Sequence, residues 1–371
     1  MNKKLNVGII GLGRIARSGH APEISAHLDK FNLAACADIE PERLKNLPKE
    51  FEKAKKYHSL EEMLENPALD LITICTRHAC HVPMALQIMA AGKIAIVEKP
   101  VATSVAEMEL LRIALKKYPG KLYFRHNRRF EAPFTKARQL IADGLIGDVQ
   151  YIKLCRDVGY SRRNDWMTMT EFYGGLLTNW GPHLIDQALC LLDSKVVDIW
   201  ADVRNVISIG DGDDLFKIIL KAENGRLADI EVTGANTIRG RQMEIIGSRG
   251  TIVYNTGDDK IESRYVDPSI KFKKLSPHPE NPPFRYGNFD ETLSFVESKF
   301  DIPAISMDIY WIHLYNAIVK NVPFPVTFDQ AWNVVKIMED VFKKSGFQPI
   351  KKFIPQKINN EFSEVARNKQ P

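Results

Sequence analysis

The sequence of 371 residues has no long apolar run and no large excess of one charge. Because no stretch approaches the length of apolar chain that crosses a bilayer, we expect no membrane span. The 51 basic and 46 acidic residues leave a net charge of +5, which is too small and too scattered to indicate nucleic acid as a partner. We therefore expect neither a membrane nor a nucleic acid among its partners.

Cysteine is scarce, and no CxxC pair occurs. The five cysteines are Cys36, Cys75, Cys80, Cys155 and Cys190. Their odd number and their mostly apolar surroundings do not suit a disulfide framework. The first four residues lead directly into a short strand and lack the apolar segment and cleavage site of a secretory signal. Buried thiols in a reducing cytoplasm fit this pattern best, so we predict a cytoplasmic protein.

The composition that remains is that of an ordinary globular protein, 44% hydrophobic and 26% charged, and the length allows two domains. Strand and helix patterns alternate in the first third, which predicts an α/β domain with a doubly wound parallel sheet. Strand-like runs then follow one another, which predicts an α+β domain with a large, mostly antiparallel sheet and one covered face. We divide the chain into domains at 1–122 and 123–350 and a polar tail at 351–371.

The boundaries of individual elements follow from periodicity and from turn and cap signals. In the first domain we predict strands at 6–10, 33–37, 69–75 and 94–97, and helices at 60–64, 81–91 and 104–117. In the second we predict strands at 149–155, 199–207, 216–221, 228–233, 242–246 and 250–254. Helices are expected there at 133–143, 176–192, 308–320 and 328–344. Turn residues at 222–225 and 247–250 indicate hairpins.

A GxGxxA fingerprint follows the first strand and opens a helix, which is the context that dinucleotide binding requires. Gly11 permits the tight turn, and Gly13 lets a pyrophosphate approach the backbone. Arg14 and Ile15 open the helix whose N-terminus would face the phosphates. We therefore predict that Gly11, Gly13, Arg14 and Ile15 contact a dinucleotide cofactor.

The second strand ends in an acid, Asp38, somewhat farther from the glycines than the usual spacing. A carboxylate there accepts hydrogen bonds from the ribose hydroxyls and repels a 2′-phosphate, so NAD is favoured over NADP. Arg43 and Arg14 are near enough in sequence to weaken that preference. The alternative is that Asp38 caps the helical turn that follows it.

Glu98, Lys99 and Pro100 follow directly after a buried strand at 94–97. The carboxyl end of such a strand is where an open α/β sheet binds its ligand. Pro100 holds Lys99 extended, and the bond between them is a natural place for a cis peptide. We predict that Glu98 and Lys99 border the cofactor and that Lys99 points at a substrate hydroxyl. A surface lysine in a strand-to-helix loop is the alternative.

The loop from Thr76 to His81 allows two interpretations. His78, Cys80 and His81 are potential metal ligands, but no second cluster of matching spacing occurs, so we predict no metal site. A loop at the end of the third predicted strand is better placed beside the cofactor. We therefore expect Thr76 and His81 to contact the nicotinamide ribose.

A second stretch with chemical side chains lies in the predicted helix 176–192. Asn179 and His183 are four residues apart and Asp186 is three further on, so all three can share one face. Neutral His183 suits general acid–base chemistry near pH 7. Because Pro182 belongs in a first helical turn, Asn179 has the alternative role of a helix cap, and His183 that of a core histidine.

Two groups of basic residues and two tryptophans stand near these stretches. The basic residues are Arg125, Arg128, Arg129, Arg156, Arg162 and Arg163. Facing a cleft, they would favour an anionic substrate such as a sugar phosphate, a sugar acid or a nucleotide sugar. Otherwise they form a solvated face or interdomain ion pairs. Trp166 and Trp180 suit stacking on a sugar ring and equally suit core packing.

The combination of motifs resembles the Gfo/Idh/MocA oxidoreductase family. The resemblance extends from residue 5 to about 346 and includes GLGRIA with Asp38, EKP at 98–100, HNRRF at 126–130, GGLLTNWGPHLID at 174–186 and EIIGSRGTI at 244–252. It implies an N-terminal Rossmann domain and a second domain whose open sheet forms a homodimer or homotetramer interface. It also implies catalytic roles for Lys99 and His183, with Asn179 at the position where the family commonly has Asp.

The resemblance implies hydride transfer between NAD(P) and a secondary hydroxyl of a sugar, polyol or sugar derivative. His183 would take the hydroxyl proton, and Lys99, with an ordinary pKa, would stabilise the developing alkoxide. The predicted substrate contacts are Asn179, Lys99, His183, Arg128 and Trp166. A glycoside-cleaving enzyme with catalytic NAD and a non-catalytic sugar or NAD sensor are the alternatives.

Overall fold

The computed structural model describes residues 3–160, 162–277, 279 and 293–347. The predicted polar tail at 351–371 lies outside the described residues. The described chain forms two sheets, one in each half of the sequence.

The first sheet has six strands, all parallel, in the order β3-β2-β1-β4-β5-β6. These strands are β1 Leu5–Ile10, β2 Phe31–Ala37, β3 Lys55–Tyr57, β4 Leu71–Ile74, β5 Ile94–Val97 and β6 Leu122–Phe124. From β1 the chain adds β2 and β3 on one side of the sheet, and then β4, β5 and β6 on the other side. This switch point between β1 and β4 opens a crevice at their carboxyl ends. The predicted doubly wound parallel sheet is confirmed.

Helices cover both faces of this sheet, and two separate hydrophobic clusters lie beneath them. The helices of the first half are α1 Ala21–Ser25, α2 Leu60–Leu64, α3 His81–Ala90 and α4 Val105–Lys117. A π-helical turn, Ala16–His20, precedes α1. Ser104 caps α4 by accepting a hydrogen bond from the backbone N–H of Glu107.

The second sheet has eight strands in the order β14-β13-β12-β11-β7-β10-β9-β8. They are β7 Val149–Asp157, β8 Val196–Arg204, β9 Leu215–Ala222, β10 Leu227–Thr233, β11 Arg241–Gly247, β12 Gly250–Asn255, β13 Lys260–Tyr265 and β14 Val296–Asp301. Neighbouring strands are antiparallel except β7 and β10, which run parallel. The predicted mostly antiparallel sheet is confirmed.

The helices of the second half are α5 Ala132–Ala142, α6 Leu176–Asn179, α7 Gly181–Leu192, α8 Ile309–Lys320 and α9 Phe328–Ser345. Apolar side chains of α5, α7 and α9 pack on one face of the second sheet. The other face leaves large side chains such as Tyr151 and Trp200 about half exposed. One covered face is what the alternating sequence of these strands predicts.

Helix α8 packs on the first sheet although it lies in the second half of the sequence. Its Tyr310, Trp311 and Tyr315 are buried in the same hydrophobic cluster as β1 and β2. Helix α9 contributes to the cores of both sheets. The predicted division at residue 122 falls within β6. Helices α8 and α9 therefore hold the two sheets together.

Candidate active site

The loop after β1 has the backbone shape that the phosphates of a dinucleotide need. Gly11 has a φ of +88°, and a Cβ at this position would lie 2.6 Å from the carbonyl oxygen of Cys75, so no other residue fits here. A Cβ on Gly13 would meet no atom within 4 Å. The backbone at Gly13 thus faces open space at the start of a helix, which fits a bound pyrophosphate.

Arg14 and Ile15 lie in the first helical turn after this loop. Arg14 is exposed, and its charge contributes to lowering the pKa of Lys99. Ile15 is half-buried and packs against the cluster under the first sheet. Of the two, Arg14 is therefore the side chain free to meet a phosphate, whereas Ile15 supports the loop.

Asp38 lies at the end of β2, where its carboxylate is held by the backbone of two segments. It accepts hydrogen bonds from the N–H of Leu12 at 2.7 Å and of Glu40 at 2.9 Å. The short helical turn that follows has no side-chain cap, so the capping interpretation of Asp38 is wrong. The exposed side chain of Arg43 lies 3.5 Å from the same carboxylate. Asp38 is thus fixed beside the fingerprint loop, with a cation against it.

His81 joins the loop after β4 to the turn after β5. Its Nδ1 lies 2.8 Å from the carbonyl oxygen of Pro100 and its Nε2 3.3 Å from that of Thr76. Because burial lowers the pKa of His81, the ring is neutral and carries one N–H. The shorter contact, to Pro100, is therefore the hydrogen bond. Both Thr76 and His81 lie at the cleft edge of the first sheet.

His78 does not act with His81 as a metal ligand pair. Its Nδ1 contacts the carbonyl oxygen of Tyr173 at 2.9 Å, and burial lowers its pKa to about 3. Trp166 packs edge-on against the His78 ring, with ring centroids 5.0 Å apart. Among the described residues, no group of three or more His, Cys, Asp and Glu side chains is arranged to hold a metal ion. Trp166 thus lies against the loop after β4.

The carboxylate of Glu98 faces a buried network of charged groups. It accepts hydrogen bonds from Arg125 at 2.6 Å and contacts His20 at 2.9 Å. The other end of the Arg125 guanidinium is bound by Glu23 at 2.6 Å. Burial alone would raise the pKa of Glu98, but Arg125 and His20 outweigh it and hold that pKa far below its usual range. Glu98 is therefore ionised and bound by protein on its Oε1 side.

The Lys99 ammonium crosses the cleft to the second half of the chain. It donates to the side-chain oxygen and to the backbone carbonyl oxygen of Asn179, both at 2.8 Å. The Lys99–Pro100 peptide is cis, as the sequence allows. Burial lowers the pKa of Lys99 to about 8 against the opposing effect of Glu98, and Arg128 adds to the lowering. The expectation of an ordinary lysine pKa is therefore wrong for this site.

Asn179 and His183 lie on two helices, not on the single predicted helix 176–192. Helix α6 ends at Asn179 and α7 begins at Gly181. The break at Trp180 is consistent with Pro182, which has no N–H to donate to the preceding turn. The Asn179 side chain binds Lys99 and caps nothing, so the capping interpretation is wrong here too.

The carboxylate of Asp186 is paired with an arginine of a neighbouring segment. Its carboxylate forms a two-pronged buried ion pair with Arg129, whose Nε lies at 3.0 Å. Arg129 also donates to the carbonyl oxygen of Pro325 and the side chain of Gln330. The Asp186–Arg129 pair therefore connects α7 to the start of α9, and we assign it no part in the chemistry of the site.

His183 lies near the Lys99 ammonium with one ring nitrogen unpartnered. Within the described part of the chain, nothing hydrogen-bonds its Nδ1, although the ring is almost fully buried. Burial lowers its pKa well below the ordinary value, and the charges of Lys99 and Arg128 lower it further. His183 is therefore a neutral imidazole at pH 7, able to accept a proton from a group placed beside it.

Arg128 lies at the same end of α7 as His183, in a group that includes Arg156. Both guanidinium groups stack on the Trp180 ring, at 4.5 Å and 4.8 Å from its centroid. Both also bind the carboxylate of Glu131. Arg128, which the sequence predicts as a site residue, is thus grouped with Arg156, Trp180 and Glu131.

A cavity of about 130 Å³ opens beside Asn179 and Trp180. Its wall includes the carboxylates of Asp213 and Asp214 and the side chain of Arg163. Burial raises the pKa of Asp213 to about 7, and this carboxylate accepts a hydrogen bond from the first turn of α6 at 2.7 Å. Asp213 therefore helps to fix the helix that presents Asn179. The cavity has room for part of a small polar substrate.

His126 is a buried residue near the site that the motif analysis does not single out. It is 1% exposed, and both of its ring nitrogens are without a partner among the described residues. The charges of Lys99 and Asp186 act on its pKa, which burial lowers. The sequence signal for it is weak, since a histidine after a short buried strand is usually a core residue.

Two sequence models of a single oxidoreductase family match the chain. The Oxidoreductase family model, described as having an NAD-binding Rossmann fold, covers residues 5–126. The GFO/IDH/MocA C-terminal domain model covers residues 134–253. The chain belongs to the Gfo/Idh/MocA oxidoreductase family. It is therefore an oxidoreductase with an NAD-binding Rossmann domain, and the resemblance noted in the sequence is confirmed.

Individual relatives of this oxidoreductase agree with the family assignment. The chain is 25% identical over 358 residues to scyllo-inositol 2-dehydrogenase (NADP(+)) IolW of Bacillus subtilis, covering 92% of this chain and 94% of that protein. It is 25% identical over 254 residues to myo-inositol 2-dehydrogenase of Thermotoga maritima, and the match covers 67% of this chain and 74% of that protein. The structure of an NAD-binding protein from Listeria innocua shares the fold, with a TM-score of 0.77 and 23% identity. The match covers 93% of this chain and 95% of that chain.

Two further findings concern the helices and the cysteines of this oxidoreductase. Among the described residues, no helix has both the length and the apolar character to span a bilayer. All five cysteines are free thiols, and three of them are only partly buried. Burial raises the pKa of Cys36 to about 11, so this thiol is protonated and unreactive at neutral pH.

Proposed function

We propose that this oxidoreductase catalyses reversible hydride transfer between NAD(P) and a secondary hydroxyl of a sugar, polyol or sugar derivative. The observation that carries the proposal is the contact of the Lys99 ammonium with Asn179, beside the unpartnered imidazole of His183. This contact brings a charged donor and a neutral base to one cleft next to the fingerprint loop. A bound nicotinamide supplies or accepts the hydride.

His183 takes the hydroxyl proton during oxidation and returns it during reduction. Its lowered pKa keeps it unprotonated at neutral pH, which is the state a general base needs. Lys99 donates a hydrogen bond to the same substrate oxygen and stabilises the alkoxide charge that develops there. With a pKa of about 8, about nine in ten Lys99 side chains are protonated at pH 7.

The remaining site residues bind and orient the two ligands. Asn179 orients the substrate hydroxyl, and Arg128 and Trp166 contact the rest of the substrate. The residues proposed to hold the cofactor are Gly11, Gly13, Arg14, Ile15, Asp38, Thr76, His81, Glu98 and Lys99. In this group Glu98 acts through its buried pairing with Arg125, which fixes the turn that presents Lys99.

We propose NAD as the preferred cofactor. The carboxylate of Asp38 lies at the end of β2, where the adenosine ribose of a dinucleotide is bound, and a carboxylate there repels a 2′-phosphate. Arg43 lies against this carboxylate and reduces that repulsion. The relative IolW is named for NADP(+), so both cofactors belong in the test.

Exposed surfaces and free thiols support a proposal for the assembly and location of the protein. We propose a homodimer or homotetramer formed through the open face of the second sheet, where Tyr151 and Trp200 are exposed. Free cysteines suit a reducing cytoplasm. The domain division proposed is 1–122 for the cofactor and 123–350 for the substrate and assembly, with a tail at 351–371.

A panel of inositols, aldoses and sugar acids, assayed with NAD and with NADP for reduced nicotinamide, tests the proposal. We expect turnover of at least one polyol or sugar with a secondary hydroxyl, and none with His183→Asn in the neutral pH range. His27→Asn is the matched control, since His27 lies just before β2, at the edge of the first sheet opposite the carboxyl ends of the strands. Failure of every substrate with both cofactors, in either direction, would sink the proposal.

A further inference from the structure

The substrate side of the cleft holds more positive than negative charge. Three cations meet around Trp180 and Asn179, and we name Lys99, Arg128 and Arg156 the cation cluster. Of these, Arg128 and Arg156 share the single carboxylate of Glu131. Within the described residues no carboxylate lies within salt-bridge distance of the Lys99 ammonium, whose two hydrogen-bond acceptors belong to neutral Asn179.

The nearest candidate counter-ion of Lys99 is bound elsewhere. Glu98 contacts Arg125 and His20 through Oε1, and its Oε2 accepts the backbone N–H of Lys99 at 3.1 Å. Its charge is thus largely compensated by Arg125, a partner that is itself buried. A buried ammonium with only neutral acceptors is costly unless a negative charge arrives from outside.

The two arginines of the cluster are positioned to meet a ligand. They stack on Trp180, and that ring lines the cavity beside Asn179. The Arg128 side chain is 30% exposed and the Arg156 side chain 13%. Arg156 already donates to the side chain of Gln242 at 3.1 Å as well as to Glu131, so Arg128 is the more accessible of the two. A partly exposed guanidinium held flat on an aromatic ring keeps N–H groups available for a second, in-plane anion.

The acids on the opposite cavity wall do not compensate the cluster. Both oxygens of Asp214 accept backbone hydrogen bonds, from Val206 at 2.7 Å and Ile207 at 2.8 Å. Asp213 binds the N–H of Leu177, and with a pKa raised to about 7 it carries only part of a charge at neutral pH. Both carboxylates are therefore used to hold backbone, and the cluster keeps its excess positive charge.

We propose that the substrate carries an anionic substituent, a carboxylate or a phosphate, which binds the cation cluster at the Arg128 and Arg156 edge of Trp180. This inference rests on the proposed function and narrows its substrate class to sugar acids, polyol acids or sugar phosphates. The hydroxyl to be oxidised then lies between Lys99 and His183, and the anion lies toward the arginines. The lowered pKa of His183, to which Arg128 and Arg156 contribute, agrees with a net positive field.

Matched neutral and anionic sugars test the proposal. The pairs are glucose with glucuronate, galactose with galacturonate, and glucose with glucose 6-phosphate, assayed with the better cofactor at low and at high salt. We expect kcat/KM for an anionic member to exceed that for its neutral partner by about tenfold or more at low salt. Added salt should reduce this ratio. The uronates and the phosphate distinguish a carboxylate site from a phosphate site.

Two variants locate the anion. Arg128→Gln and Arg156→Gln should each lower the anionic-to-neutral ratio of kcat/KM by about tenfold, because each removes one guanidinium from the cluster. Arg138→Gln, an exposed arginine of α5, should leave the ratio unchanged. If neutral sugars are turned over as well as or better than their anionic partners, the inference is wrong while the proposed function stands. If no sugar of either kind is turned over, both are wrong.

Discussion

The buried charges on the Rossmann side of the cleft and those on the C-terminal side are compensated to different degrees. On the Rossmann side, Arg125 lies between Glu98 and Glu23 at 2.6 Å from each, and His20 completes the network. On the C-terminal side, Arg128 and Arg156 share one carboxylate, and the imidazole of His183 has an unpartnered nitrogen. On the first wall the charges are paired without a ligand, although Nε of Arg125 has no hydrogen-bond acceptor among the described residues, whereas on the second wall positive charge is left over.

This difference separates two kinds of preorganisation. The turn that presents Lys99 must keep one shape, and a buried network in which opposite charges are paired favours a single arrangement. A substrate wall has to gain contacts when the substrate binds, so unpaired polar groups there are a cost that the ligand removes. Two arginines three residues apart serve different walls, since Arg125, just before HNRRF, belongs to the first and Arg128, within it, to the second.

The largest expected effect is a loss of stability when the buried network around Arg125 is broken. Arg125→Met leaves Glu98 and Glu23 facing each other in a buried space, so the free energy of unfolding should fall by about 3–5 kcal/mol. Arg128→Met removes a partly exposed partner of Glu131 and should cost no more than about 1 kcal/mol. Urea denaturation of both variants measures the difference. Equal losses would show that the two walls are not compensated differently.

The next effect concerns catalysis. Lys99→Met removes the ammonium that stabilises the alkoxide, and kcat/KM should fall by about 10²–10³. Cofactor affinity, measured by fluorescence titration, should fall far less than kcat/KM, because the fingerprint loop and Asp38, which are proposed to hold most of the cofactor, are untouched. Lys116→Met, an exposed lysine at the end of α4, is the matched control. Unchanged turnover in Lys99→Met would refute the role assigned to this lysine.

A smaller effect concerns the preference for NAD over NADP, which depends on Asp38 on the Rossmann side of the cleft. Asp38→Asn keeps an oxygen acceptor for the backbone of Leu12 but removes the charge, so the NADP-to-NAD ratio of kcat/KM should rise by about tenfold. Glu42→Gln makes the same charge change at an exposed position four residues away and should leave the ratio as it is. Steady-state kinetics with both cofactors decide between these outcomes.

The sequence predicts most of the fold because apolar periodicity and turn residues are local signals. Strands β13 and β14 are absent from that prediction, since their alternating residues are largely charged, as in Lys260–Tyr265. The break at Trp180 is also missed, because the stretch from 176 to 192 is apolar enough for one helix.

Only those residues of the candidate site that belong to a sequence motif are predictable from the sequence. The sequence identifies Lys99 through its place after a buried strand, and His183 through its spacing from Asn179 and the family resemblance. It does not identify the contact of Lys99 with Asn179, since 80 residues separate them. The lowered pKa of Lys99 depends on burial and on Arg128, Arg14 and Arg125, which no local pattern encodes. Whether a given arginine pairs inside a wall or faces the cleft is likewise a matter of tertiary packing.

The smallest effect at neutral pH comes from Asn179→Asp, which supplies the missing negative charge to Lys99. A carboxylate beside an ammonium favours the protonated form, so the pKa of Lys99 should rise above its value of about 8. Because Lys99 stabilises the alkoxide only when protonated, the activity of the natural protein should decline as the pH rises through that value. In the variant the decline should begin about one pH unit higher, with little change at pH 7.

Profiles of kcat/KM against pH, from 6 to 10, measure this shift for the natural protein and for Asn179→Asp. Asn224→Asp serves as the control, since it adds the same charge at an exposed hairpin remote from the cleft. The same variant should also lower the preference for anionic sugars, because it reduces the excess charge of the cation cluster by one unit. An unshifted alkaline decline would mean that a group other than Lys99 titrates there, and the contrast between the two walls would then lose its catalytic consequence.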